Sequence, residues 1–162
     1  AGLTARLLDA GFGEDSVLRM VNSALMVKSG EESLATLDVL SVDRFTGQMQ
    51  SLKAGAAASL LYSRGCVSRL EHSSLPVGIL RSVSFEKQAD TLGAGDLMLL
   101  LSDGALTDGI AWVEETLQAF DGSRQSLQML AEQIAAGARE RQAGKHQDDI
   151  TVLALRVEKE EA

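Results

Sequence analysis

Leu97-Met98-Leu99-Leu100-Leu101-Ser102-Asp103-Gly104 is the stretch on which the reading of this chain turns. Its first five residues are apolar without interruption, a pattern that predicts a short strand covered on both faces. The strand runs out into a carboxylate, Asp103, at the edge of the core, where partial desolvation strengthens the hold on a cation. A turn aspartate before a glycine is the plainer reading of the same pair. Just upstream, Gly93-Ala94-Gly95-Asp96 turns the chain into the strand. It looks like a phosphate loop only superficially, because it leads into a strand rather than a helix. Further on, the polar loop Gly144-Lys145-His146-Gln147-Asp148-Asp149 precedes an apolar run from Ile150 to Val157, which predicts a last strand. If that strand lies antiparallel beside Leu97–Leu101, the end of one and the start of the other fall on the same edge. Asp103 and Asp148 then share one divalent ion, and a hard cation wants such oxygen ligands.

The remaining elements follow from periodicity. Helical spacing marks the first thirty residues, with Leu3, Leu7 and Leu8, an interruption at Gly11 and Gly13, and a resumption through Val17, Met20, Val21, Ala24 and Leu25. Gly30-Glu31-Glu32 reads as a loop. From Thr36 the period changes to two, and Asp43-Arg44-Phe45-Thr46-Gly47 closes a hairpin before Gln48–Lys53. Arg64-Gly65 closes another between Leu60–Ser63 and Val67–Leu70, and Val83, Phe85, Lys87, Ala89 and Thr91 form a further alternating run. Ile110, Val113, Leu117 and Phe120 mark one later helix. Leu127, Leu130, Ala131, Ile134 and Ala138 mark another, with Ser123 expected as its N-cap. Helices, hairpin strands, two helices and a closing strand argue an α+β fold with helices packed on sheet faces.

Composition narrows the class. The chain has 162 residues, 45% hydrophobic and 23% charged, which suits one domain with a sizeable core. The longest apolar run, Leu97–Leu101, falls far short of the ~20 residues a membrane helix needs. A net charge of −8 and six aromatics that never interleave with basic residues argue against nucleic acid as a partner. The single cysteine, Cys66, excludes an internal disulfide and CxxC zinc sites, and a reducing compartment is expected. Cys66 and His72 read as structural. His146 beside Asp148 and Asp149 suggests a transition-metal site on paper, but further His or Cys ligands are not evident and a solvated loop histidine explains it more simply. Nucleophile elbow, P-loop and dinucleotide fingerprint are all missing. Gly55 within Ala54–Ala58 permits a close backbone approach, and a tight sheet crossing explains it equally well.

One ordered set of segments is more specific than any member: Ser33-Leu34-Ala35-Thr36-Leu37-Asp38, Lys53-Ala54-Gly55, Leu75-Pro76-Val77-Gly78, Gly95-Asp96, Ser102-Asp103-Gly104 and Asp148-Asp149-Ile150-Thr151-Val152. This set resembles the metal-dependent PPM-type serine/threonine phosphatases, and within them the phosphatase domain of stage II sporulation protein E. The resemblance spans residues 1–157 as one domain and leaves 158–162 as a polar tail. It implies an α/β/β/α sandwich of two antiparallel sheets with helices on the outer faces. It also implies hydrolysis of phosphoserine or phosphothreonine by a water activated between two Mn2+ or Mg2+ ions, with no covalent phosphoenzyme.

By motif, Asp103 and Asp148 match metal ligands, and Asp149 takes a supporting role around the metal. Gly55, Gly78 and Gly104 fall in loops near the site, and the helices before Ala35 match a region that helps to switch activity. The implied partner is a phosphorylated anti-anti-sigma factor, and the implied location is the cytoplasmic side of a membrane-anchored parent. The family's first motif, an Asp-Gly pair on an early strand that bridges both metals, has no counterpart before the first helix here. The expectation is therefore a chain that begins inside the domain, with its opening strands missing. Such a chain should be nearly silent, hold no more than one weak ion, and pair with a second copy through an uncovered edge near Thr36–Asp43. A regulatory binding module that keeps the fold without the chemistry is the alternative.

Overall fold

The computed structural model describes residues 2–28, 34–81, 85 and 87–158. The expected loop at Gly30-Glu31-Glu32, Val83 of the alternating run and the end of the polar tail lie outside them. The elements are α1 (Gly2–Asp9), α2 (Glu14–Lys28), β1 (Leu37–Val42), β2 (Gln48–Ala54), β3 (Ser59–Ser63), β4 (Cys66–Leu70), β5 (Lys87–Thr91), β6 (Leu97–Leu101), α3 (Ala111–Gln118), α4 (Leu127–Gln142) and β7 (Val152–Arg156). One 3-10 turn, Asp103–Leu106, follows β6 directly. The strands form two sheets, ordered β1-β2-β5 and β4-β3-β6-β7, and the paired strands of the second run antiparallel, as do β1 and β2. The fold is thus α+β with two antiparallel sheets and helices, as expected.

The chain divides into two compact units. The first contains residues 1–42, 49–56 and 72–89. Its two helices are separated where the glycines predict. The Gly11 N–H donates to the Leu8 carbonyl and the Phe12 N–H to that of Leu7, with Gly11 at φ 83°, the Schellman arrangement that ends α1. Glu14 and Asp15 then occupy the first turn of α2, where the helix dipole favours negative charge. Three of the quoted segments converge in this unit. Asp38 faces Lys53 across β1 and β2, and the fully buried Lys53 ammonium bonds the Asp38 carboxylate at 2.5 Å. Ala35 and Val77 exchange backbone hydrogen bonds, and the Ser74 hydroxyl donates to the Lys53 carbonyl while accepting from the Gly55 N–H. A β-carbon at Gly55 would lie 2.5 Å from the Pro76 ring and 2.7 Å from its nitrogen, so the chain at Pro76 packs directly against this glycine. β1 occupies one edge of its sheet, and all six of its residues are half-buried.

The second unit contains residues 43–48, 57–71 and 90–162. Arg64 and Gly65 both take positive φ, 52° and 82°, so β3 and β4 are joined by a two-residue turn whose twist matches the strands. In β6, Leu97, Leu99 and Leu101 belong to one core cluster with Leu60, Val113, Leu117, Leu130 and Ile134 of β3, α3 and α4. Each such leucine, fully buried, contributes about 1.5–3 kcal/mol. Met98 on the opposite face of β6 is 1% exposed, so the strand is buried on both faces, as its unbroken apolar run predicts. One expectation needs correction. The N-cap of α4 is Ser126, whose hydroxyl accepts from the Met129 N–H at 3.2 Å, and not Ser123. Ser123 instead directs its N–H and hydroxyl at the Asp121 carboxylate, closing the turn before the helix. Cys66 is exposed at the start of β4.

Candidate metal centre

β6 and β7 pair from Leu97↔Arg156 to Leu101↔Val152, so the end of β6 and the start of β7 lie on one edge of the sheet. The chain segments that run out of that edge are stitched together by backbone groups and the Ser102 hydroxyl. The Ser102 N–H donates to the Thr151 carbonyl at 3.0 Å, and the Ser102 hydroxyl donates to the Asp149 carbonyl at 2.9 Å while accepting from the Thr151 N–H at 2.8 Å. Gly104 completes the approach. A β-carbon there would meet the Asp149 carbonyl oxygen at 2.3 Å and the Asp148 carbonyl carbon at 3.3 Å, so a hydrogen is all the space admits.

Asp103 and Asp148 therefore sit on two segments in backbone contact, both exposed to solvent. The Asp103 carboxylate accepts from the Gly104 N–H at 3.1 Å and the Asp148 carboxylate from the Asp149 N–H at 2.8 Å. Each keeps its other oxygen available to a cation. Asp149 contributes its carbonyl to Ser102, and its side chain is exposed. Gly104 is part of the contact itself, whereas Gly55 and Gly78 belong to the other unit. There Gly78 donates its N–H to the Asn22 side chain of α2 at 2.8 Å. Gly93–Asp96 is a turn closed by the Asp96 carboxylate on the Gly93 N–H, with no helix behind it.

The donor set suits a hard dication, which takes carboxylate oxygens and leaves remaining positions to water and a phosphate. Among the described residues no group of three or more His, Cys, Asp or Glu is placed to hold a metal ion. His146 is exposed and joins no such group.

Gln142, the last residue of α4, is a contributor that motif reading passes over. It is 4% exposed; its amide nitrogen donates to the Gly104 carbonyl at 2.9 Å and the Asp148 carbonyl at 3.1 Å, and its amide oxygen accepts from the Asp148 N–H at 3.2 Å. A sequence signal existed: Leu130, Ile134 and Ala138 form a buried stripe at four-residue spacing, and Gln142 is the polar residue that continues it.

Comparison with known proteins decides the family. The family model described as stage II sporulation protein E (SpoIIE) matches residues 1–158. The chain belongs to the SpoIIE family. It is 25% identical over 162 residues to stage II sporulation protein E of Bacillus subtilis (strain 168), covering 96% of this chain and 19% of that protein. The corresponding Priestia megaterium protein is 26% identical over 161 residues, with 27% of its length covered. This chain thus spans about a fifth to a quarter of its SpoIIE relatives. Among solved structures, the PP2C phosphatase domain with a fragment of the regulatory domain of B. subtilis SpoIIE superposes with a TM-score of 0.82 at 25% identity, covering 97% of this chain and 49% of that one. The B. subtilis phosphatase domain alone gives 0.70 at 25% identity over 99% of this chain and 73% of that one, and the same domain has been solved after presoaking with manganese.

Proposed function

We propose that this chain is a metal-dependent serine/threonine phosphatase domain that hydrolyses a phosphorylated regulatory protein, with an anti-anti-sigma factor as the expected substrate. SpoIIE family membership and the likeness to a solved phosphatase domain support the reaction class. The observation that carries the site is the contact between Ser102–Gly104 and Asp148–Thr151, which brings two acidic segments to one sheet edge. Asp103 and Asp148 are the ligands, and Asp149 supports them. A bound dication, Mn2+ or Mg2+, neutralises phosphoryl oxygens and makes its water more acidic, and the family's chemistry uses two. In the 162-residue chain two carboxylates support one weakly held ion and little turnover. We propose further that the domain acts on the cytoplasmic side of a membrane-anchored parent, with a second copy as partner through the β1 edge.

The test is phosphate release from a phosphoserine protein by the full-length gene product with manganese. Turnover is expected, and Asp103→Asn and Asp148→Asn should each cut it by at least about a hundredfold with the melting temperature unchanged, since edge carboxylates contribute little packing. No release from any phosphoserine protein or aryl phosphate would favour the non-catalytic binding module.

A further inference from the structure

We infer that Gln142 is a positioning residue that fixes the Asp148 backbone, and with it the direction of the Asp148 carboxylate, for the cation that the proposed function assigns to this edge. The inference rests on that reading. Three of the four hydrogen-bonding positions of this amide are used, all on the two ligand-bearing segments. The partners also fix which way the amide faces, because a flip would set its oxygen against two carbonyls and its NH2 against an N–H.

Asp148 is held on both sides, N–H and C=O, by one side chain, although the residue itself is exposed. An exposed loop residue ordinarily gives both groups to water. Here its peptide is anchored to the end of a sixteen-residue helix whose Leu130, Ile134 and Ala138 are buried at 1% or less. The same NH2 group ties in the Gly104 carbonyl, one residue from Asp103. Gln142 therefore couples both ligands to a rigid element while touching neither carboxylate. Groups that orient ligands in this way typically change metal affinity by about 10–100-fold when removed.

The experiment uses nuclear magnetic resonance on the 162-residue chain, with Gln142→Met as the isosteric variant and Gln142→Asn should the first fail to fold. In the wild type the Asp148 N–H should be protected from hydrogen exchange without any metal. Either variant should lose that protection and raise the manganese concentration that half-broadens the Asp148 and Gly104 amides by about tenfold. Ser126→Ala, which removes the cap at the far end of the same helix, should lower the melting temperature without moving that midpoint. An unprotected Asp148 N–H in the wild type overturns the inference. So does an unchanged manganese midpoint in the folded Gln142 variant, or an equal shift in Ser126→Ala. If Asp148→Asn weakens manganese binding while the Gln142 variant does not, the clamp alone fails. If Asp148→Asn has no effect either, the metal reading itself falls and takes the clamp with it.

Discussion

Gly104 explains more of the candidate site than its lack of a side chain suggests. A glycine after an aspartate reads from sequence as a turn, where the expected reason is backbone freedom. The reason here is space, because the Asp149 carbonyl oxygen occupies the volume a methyl group would need. Gly104→Ala must push the 102–104 and 148–151 segments apart. We expect a loss of about 1–3 kcal/mol in stability, by calorimetry, together with loss of the manganese response. Retention of both would mean that the contact is not needed. Asp103 and Asp148 were legible as candidates because each flanks a strand, one apolar throughout. Gln142 was not, since its partners are backbone groups, and no motif records which residue holds a peptide in place.

Elements were legible wherever the apolar period was unambiguous. Both hairpins closed at the expected turns, with Asp43 accepting from the Phe45 and Thr46 N–H groups and Arg64-Gly65 supplying two positive φ angles. The start of α4 was misread because Ser123 and Ser126 are equally good caps by type. The choice fell to Ser126 because Asp121 had already engaged Ser123. The 3-10 turn after β6 had no periodic signal, being one turn long. Between elements, Arg69 of β4 reaches Glu114 of α3 with two hydrogen bonds, and this hydrogen-bonded guanidinium holds the Glu114 carboxyl below its ordinary value of 4.5. A carboxylate whose pKa falls on folding contributes stability above its unfolded value and loses it as pH drops through the folded one. Glu114→Gln should therefore lower the melting temperature slightly at neutral pH and leave it unchanged well below pH 4.5, because a half-exposed pair is worth little. An equal loss at both pH values would mean that packing, not charge, joins these elements.

At the scale of the molecule, the ordered set of short segments marks the family in the sequence itself, and the structure sorts that set by task. Ala35–Asp38, Lys53–Gly55 and Leu75–Gly78 interlock with one another in the first unit through an ion pair, backbone bonds and a glycine contact. Ser102–Gly104 and Asp148–Val152 interlock in the second through a backbone bond and two bonds of the Ser102 hydroxyl, which leave their carboxylates in solvent. Order along the chain reveals none of this sorting, because it arises from strand pairing between residues dozens of positions apart. Function and clamp both rest on one divalent ion shared by Asp103 and Asp148. The direct measurement is manganese-induced broadening of backbone amides across the 162-residue chain. The Asp103–Gly104 and Asp148–Asp149 amides should broaden first and at the same manganese concentration. Broadening of one pair without the other, or first at some other part of the chain, would contradict it.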